Sequence, residues 1–362
     1  MATPKFFRYG KEKNMKVHIT RVDNPAAMQS FLSVPDLVYG RGTVPPSAGK
    51  YATGLRFMPL ANPLLQHLKF ANYVATIDDQ PVGRVTASVD GLNPRPEEGF
   101  WGCFECIDDS GVAAALLDAA AKWLKKQGKT VMIGPATLNT NQQVGLMIKG
   151  FEYEPQMEIP YNPPYYQRLV EDAGLEKIHD LECFKWTLPG ELPRQLARTG
   201  SVPGVMIRPV NYASGREAKI VQEINNRMLA GMWGFIPLSL ADTRGFLMSL
   251  SSRVPPDLFM IAEVHGRPAG MFLSIPYQKP GQDGDGGVIR LAIGGIVPEF
   301  RHQGIHWQLL RSFYTWCKEH GYTRGEASQV AESNDTVKRK IIMPLFGGQI
   351  IKLFRVYRRS LD

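Results

Sequence analysis

Two stretches of this chain repeat one plan, and that duplication limits the fold more than any single motif does. KFANYVATIDDQPVGRVTASVD (69–90) and LFMIAEVHGRPAGMFLSIPY (258–277) each read strand, polar turn, strand. Set side by side, Ala75 meets Ala262, Pro81 meets Pro268 and Gly83 meets Gly270. Each hairpin precedes a helix: LLDAAAKWLKKQGKT (116–130) matches LLRSFYTWCKEHGYT (309–323), with Trp123 opposite Trp316, Lys125 opposite Lys318 and Gly128 opposite Gly321. In the later copy Ile305, Leu309, Leu310, Phe313, Trp316 and Cys317 form one apolar helical face, and Gly321 is placed to stop the helix. Each half therefore reads β-α, a hairpin with a third strand, then helix, strand, helix and closing strands.

At 362 residues the chain is long enough for two such domains. The expected boundaries are a flexible leader over 1–13, a first domain over 14–188, a proline- and glycine-rich linker over 189–204 and a second domain over 205–362. The glycine-rich QKPGQDGDGG (278–287) reads as a hairpin loop inside the second copy. No apolar run approaches the ~18 residues that span a bilayer, and the first residues lack the apolar core of a signal peptide. Four cysteines make no disulfide framework, which fits a reducing cytoplasm. Cys103 and Cys106 spell C-x-x-C in a segment that reads as a strand, where packing explains them better than a metal does. No metal is expected. The net charge of +8 favours anionic partners.

The halves differ at one turn. After VIRLAIGGIV (288–297) comes PEFRHQGIHWQLL (298–310). Gly294 and Gly295 inside a strand predict a bulge or a close backbone approach. Arg301-x-x-Gly304 then opens a helix, whose first N–H groups form an anion site. In the first copy the turn is CIDDSGVAAA, and Asp108 and Asp109 suit a helix cap but repel a pyrophosphate.

The bulged strand and the Arg301-to-Gly304 turn resemble the GCN5-related N-acetyltransferase (GNAT) superfamily, with His306 where glycine or alanine is usual. The resemblance implies an α/β (α+β) fold of two tandem GNAT-like domains, each a mixed, mostly antiparallel sheet flanked by helices. It also implies that Gly295, Ile296, Val297, Arg301, His302, Gln303, Gly304, Ile305, His306 and Asn334 hold coenzyme A. A narrower resemblance lies in GPATLNTNQQVGLMIKGFEYEPQMEIPYNPPYYQRLVEDAGLEKIHDLECFKW (134–186), which is similar to a bacterial tandem-domain acyltransferase family that includes bacterial ceramide synthases. That implies acyl-CoA as cosubstrate and an amine acceptor, with a sphingoid long-chain base as the leading candidate. Another small amine or amino acid, a tRNA-dependent aminoacyl transfer, and a non-catalytic acyl-CoA sensor are the other readings.

Acyl transfer from a thioester needs a deprotonated amine, donors for the oxyanion and a proton for the leaving thiolate. Backbone N–H groups over Gly295–Val297 are the candidate oxyanion donors. Glu332 in VAESND (330–335) is the candidate base, with a helix cap or a solvated charge as its alternatives. Tyr357 is the candidate acid, with a core aromatic as its alternative. Tyr161, Asn162, Tyr165 and Tyr166 are expected either to line an acceptor pocket or to form a self-packed loop. Lys338, Arg339, Lys340, Lys352, Arg355, Arg358 and Arg359 make a basic tail for the cofactor's 3′-phosphate or for anionic lipid, or a solvated basic face. The expected setting is the cytoplasm with peripheral contact to the inner membrane, and no nucleic-acid partner.

Overall fold

The computed structural model describes residues 16–46, 48–156, 158–198, 200, 202–281 and 286–362. The expected leader and part of the 278–287 loop lie outside the described residues. The chain divides into two compact units. Unit 1 is 1–181 with 352–362, and unit 2 is 182–351. These bounds differ from the expected ones. The chain changes unit inside a strand rather than in the 189–204 segment, and it changes back inside another.

Unit 1 runs β1 (His18–Arg21), α1 (Pro25–Tyr39), α2 (Lys50–Arg56), β2 (Leu68–Ile77), β3 (Gln80–Asp90), β4 (Glu98–Cys106), α3 (Ser110–Lys126), β5 (Val131–Gly134), β6 (Leu146–Lys149), α4 (Tyr166–Asp172) and the start of β7 (Glu176–Thr187). Unit 2 continues through α5 (Arg194–Ala197), β8 (Val205–Pro209), α6 (Glu217–Met228), α7 (Leu240–Ser251), β9 (Phe259–Val264), β10 (Arg267–Gln278), β11 (Gly287–Ile296), α8 (Ile305–Glu319), β12 (Tyr322–Ala331), α9 (Asp335–Val337) and α10 (Met343–Phe346). The last strand, β13 (Gln349–Ser360), then supplies its residues from Lys352 onward to unit 1.

The duplication holds at the level of register. Ala75 pairs with Gly83 in unit 1, and Ala262 pairs with Gly270 in unit 2. Both hairpins shift register beside that pair, next to Pro81 in one and Pro268 in the other. In each unit the second hairpin strand pairs antiparallel with the third strand, which then pairs parallel with the next. Gly128 and Gly321, at φ +75° and +74°, end α3 and α8 in a left-handed turn that costs glycine little.

Each unit has its own core. In unit 1, Val112, Leu116, Ala120 and Leu124 of α3 bury one face at four-residue spacing against Val82, Val85 and Trp101 of the sheet. Tyr357 and Leu361 from the C-terminal segment join that core. In unit 2, Ile305, Leu309, Leu310, Phe313 and Cys317 of α8 pack with Trp186, Met271 and Phe346. The predicted apolar face is present, with Trp316 at its edge. No helix among the described residues is long and apolar enough to cross a membrane.

Candidate functional site

In both units the third strand parts from its parallel neighbour. β4 pairs with β5 only from Glu98↔Val131 to Phe100↔Ile133, then runs on to Cys106 paired with β3. β11 pairs with β12 from Gly287↔Tyr322 to Leu291↔Ala327, then runs on to Ile296 paired with β10. A bulge marks each parting. In β4 it falls at Cys103–Phe104, opposite Val85, with Cys103 at φ +46°. In β11 it falls at Ala292, between the pairs Leu273↔Ile293 and Ser274↔Leu291.

The bulge in β11 therefore precedes Gly294 and Gly295, and those glycines answer to close approach instead. A Cβ on Gly294 would lie 2.6 Å from the Phe272 ring, and one on Gly295 would lie 3.0 Å from the Met228 sulfur. The expected set of oxyanion donors is corrected as well. Val297 donates its N–H to the Ala269 carbonyl at 2.9 Å, so that amide is committed to β10. Hydrogen-bonded and non-bonded pairs alternate along an antiparallel ladder, and Gly295↔Met271 is in step with Val297. The N–H groups that turn away from β10, toward the gap left by β12, are those of Gly294 and Ile296.

Past Val297 the chain makes a seven-residue turn, 298–304, before α8. Among the described residues, none of the backbone N–H groups from His302 to His306 is donated to a protein acceptor, whereas Trp307 and Gln308 both donate to the Gly304 carbonyl. Gly304 lies at φ +81°, left-handed, and caps the helix with no side chain. Five consecutive amides at a helix start, with α8 behind them, make a cradle for an anion. Arg301 builds the cradle from behind. Its Nε donates to the Ile296 carbonyl and its Nη2 to the Met228 carbonyl, both at 3.1 Å. Gln303 ties back to the Glu299 carbonyl at 3.2 Å, and Glu299 pairs with Arg227 and Arg267. Burial, then the charge of His302, lowers the His306 pKa, so its half-buried ring is uncharged at neutral pH and leans on Trp307.

Unit 1 has no such cradle. Only Asp108 and Asp109 separate Ile107 from α3, and Asp109 caps the helix by accepting from the Val112 N–H at 2.9 Å. Asp108 is paired with Arg168. The strand edge itself is occupied: the Tyr166 hydroxyl accepts from the Cys106 N–H and the Tyr165 hydroxyl donates to the Cys106 carbonyl, both at 2.8 Å. Tyr166 also donates to Glu105 at 2.8 Å. Asn162 imitates a strand partner for Met147, accepting from its N–H at 2.7 Å and donating to its carbonyl at 3.1 Å. Tyr161 gives its carbonyl to the Tyr39 hydroxyl. The PYNPPYY segment thus satisfies backbone groups, and its Tyr161, Asn162 and Tyr166 also line a cavity in unit 1, so it packs on itself and bounds a pocket at once.

The candidate acid and base belong to different units. Glu332 sits in the turn after β12, where its carbonyl accepts from Lys338, and Asn334 caps the following helical turn by accepting from the Val337 N–H at 3.2 Å. Both belong to unit 2, with the cradle. Tyr357 does not: it is fully buried in the core of unit 1, opposite Gly134, and its hydroxyl donates to Glu171 at 3.0 Å. Burial and then the Glu171 charge push its pKa up. Packing explains Tyr357. The basic tail also divides. Lys352 is buried and donates to the Glu154 carbonyl, Arg355 grips Asp180 with two bonds, and Arg359 pairs with Asp118, all inside unit 1. Lys338 pairs with Glu182, leaving Arg339 and Lys340 as the exposed cations near the cradle's own unit.

Sequence reasoning passed over Arg84, Glu105 and Tyr39, which form a buried polar cluster in unit 1. The available signal was a charged residue between Gly83 and Val85 in a strand whose neighbours are all apolar or small.

Comparison with known proteins agrees with this geometry. Residues 222–339 match the model described as the acetyltransferase (GNAT) family. The chain is 26% identical to the bacterial ceramide synthase of Caulobacter vibrioides, over 96% of this chain and 98% of that one. It is 30% identical to Protein YghO of Escherichia coli, over 70% of this chain and 66% of that one. Among solved structures, a tandem GNAT protein from the clavulanic acid biosynthesis pathway superposes with a TM-score of 0.56 at 13% identity, covering 96% of this chain and 99% of that one. A probable N-acyltransferase from Enterococcus faecalis V583 superposes with a TM-score of 0.57 at 13% identity, covering 96% and 73%. These structures share the fold.

Proposed function

We propose, from the premise that this chain is an acyltransferase of the GNAT superfamily, that it moves a long-chain acyl group from coenzyme A to a primary amine. The observation that carries this reading is the run of undonated amides from His302 to His306, set beside the outward N–H of Ile296. Five donors and a helix dipole suit a pyrophosphate. A strand edge that has lost its neighbour suits an extended thioester arm, with the Ile296 and Gly294 amides as donors to the developing oxyanion.

The step balances without a cofactor. The amine nitrogen attacks the thioester carbonyl carbon, the carbonyl electrons move to oxygen, and the C–S bond breaks as the carbonyl reforms. An amide and coenzyme A thiol result, with the proton lost by the nitrogen replacing the acyl group on sulfur. An ammonium acceptor with a pKa of about 10 must first lose a further proton, and Glu332, in the same unit as the cradle, is the proposed base.

The acceptor we favour is a sphingoid long-chain base, supported by similarity to a bacterial ceramide synthase over nearly the whole chain. Release of free thiol from palmitoyl-CoA, with and without a sphingoid base, tests both levels. Base-dependent release accompanied by N-acyl product supports the full reading. Release with other amines alone would remove the lipid acceptor, and absence of palmitoyl-CoA binding would overturn the role of the cradle.

A further inference from the structure

Unit 1 contains a cavity that the proposed reaction leaves without a task. It has a volume of about 70 Å³ and is bounded by Arg56, Arg84, Glu105, Thr137, Gln143 and Tyr166. At about 10–15 Å³ for each water, it has room for a small water cluster or an acid of a few carbons. Ala48, Phe104, Pro135 and Leu146 supply apolar wall.

Its polar side is unbalanced. Arg84 is 1% exposed, with Nη1 donating to the Phe31 carbonyl at 3.2 Å, Nη2 donating to the Ala48 carbonyl at 3.4 Å, and the guanidinium facing Glu105 at 3.7 Å. Its Nε is buried with no partner, and so is the side-chain nitrogen of Gln143. Glu105 is already engaged by Arg84 and the Tyr166 hydroxyl, with Tyr39 beside it. The charged groups of the wall are Arg56, Arg84 and Glu105, and Arg56 is itself paired with Glu158 at 3.6 Å. Two buried donors without acceptors are costly as they stand. An acceptor that is also an anion satisfies both.

We propose that this cavity binds the carboxylate of a short-chain organic acid, held by Arg84 Nε and Gln143 Nε2, at a site separate from the coenzyme A cradle of unit 2. Carboxylate geometry matches a guanidinium edge, and the apolar wall accommodates a short alkyl group.

The test uses the full chain and reads binding rather than turnover. Carboxyl-¹³C butyrate is titrated while its chemical shift and the protein's thermal midpoint are followed, with decanoate and inorganic phosphate in parallel. Saturable butyrate binding that weakens about tenfold in Gln143→Leu, with the free protein's midpoint little changed, is the expected result. If Gln143→Leu fails to fold, Arg84→Lys, which keeps the charge facing Glu105, makes the same comparison. Decanoate binding with butyrate silent would overturn the short-acid assignment, and phosphate binding as tightly as butyrate would overturn the carboxylate. Absence of saturable binding by any of the three would overturn the site.

Discussion

Cys106 in unit 1 and Ile296 in unit 2 occupy one position of the duplicated plan. Each stands opposite the aligned glycine of its hairpin, Gly83 or Gly270, and each is followed by a residue that donates back to that hairpin, Ile107 to Val82 and Val297 to Ala269. Each therefore turns its own N–H and carbonyl outward. In unit 1 two tyrosine hydroxyls take both groups. In unit 2 Arg301 takes the carbonyl, and the N–H faces the gap.

One coenzyme A should therefore bind per chain. Calorimetric titration with coenzyme A is expected to give a single site, whose occupancy disappears when the 302–306 cradle is altered and survives changes at Asp108 and Asp109.

Gly304→Ala puts a Cβ on a residue at φ +81°. The left-handed conformation then costs about 1–2 kcal/mol, and relaxation of the turn misaligns the amides. The expected outcome is a several-fold rise in the KM for acyl-CoA with a smaller change in kcat, read from steady-state kinetics.

Tyr166→Phe removes a hydroxyl that serves the Cys106 N–H and Glu105 together. Glu105 keeps Arg84 as a partner, so the Cys106 N–H is the buried group left unpaired, at a cost of about 1–3 kcal/mol. Urea unfolding should show a loss in that range, while acyl-CoA binding at the cradle stays near its original strength.

His306 should make the folded state sensitive to acid. Its folded pKa lies below the unfolded value of about 6.5, because burial and His302 disfavour the charged ring. The unfolded chain then binds the extra proton first, so the contribution to stability is present above the unfolded pKa and is lost as pH falls through the lowered one. His306→Gln should flatten that part of the stability profile, measured as denaturation midpoint against pH.

Glu332→Gln and Tyr357→Phe separate the two candidate proton carriers. The first is expected to lower kcat at least tenfold with little change in the acyl-CoA KM. The second should leave kcat unchanged, since its hydroxyl is held by Glu171 within unit 1.

The hairpins and helices were legible because their signals are local: alternation, turn residues, a repeated apolar face and a stop glycine. The turn at 298–304 was legible for the same reason, since Arg301 and Gly304 are neighbours in sequence. The place of the bulge was not. A Gly-Gly pair marks either a bulge or a close approach, and only the positions of Phe272 and Met228 decide between them. The tyrosines of PYNPPYY read as a ligand pocket or a packed loop until Cys106, about 60 residues away, is seen to need partners. Tyr357 misled for a similar reason, because a strand near the end of the sequence belongs to the core of the first unit.

That last strand also fixes an order of events on the ribosome. Phe354, Val356 and Tyr357 are fully buried, and Lys352 and Arg355 are bonded to Glu154 and Asp180. Residues 1–181 can emerge and collapse, yet they lack their closing strand until all of unit 2 has been translated. The unit that begins first is completed last, so a nascent chain stalled before residue 352 holds an unfinished sheet edge in need of protection.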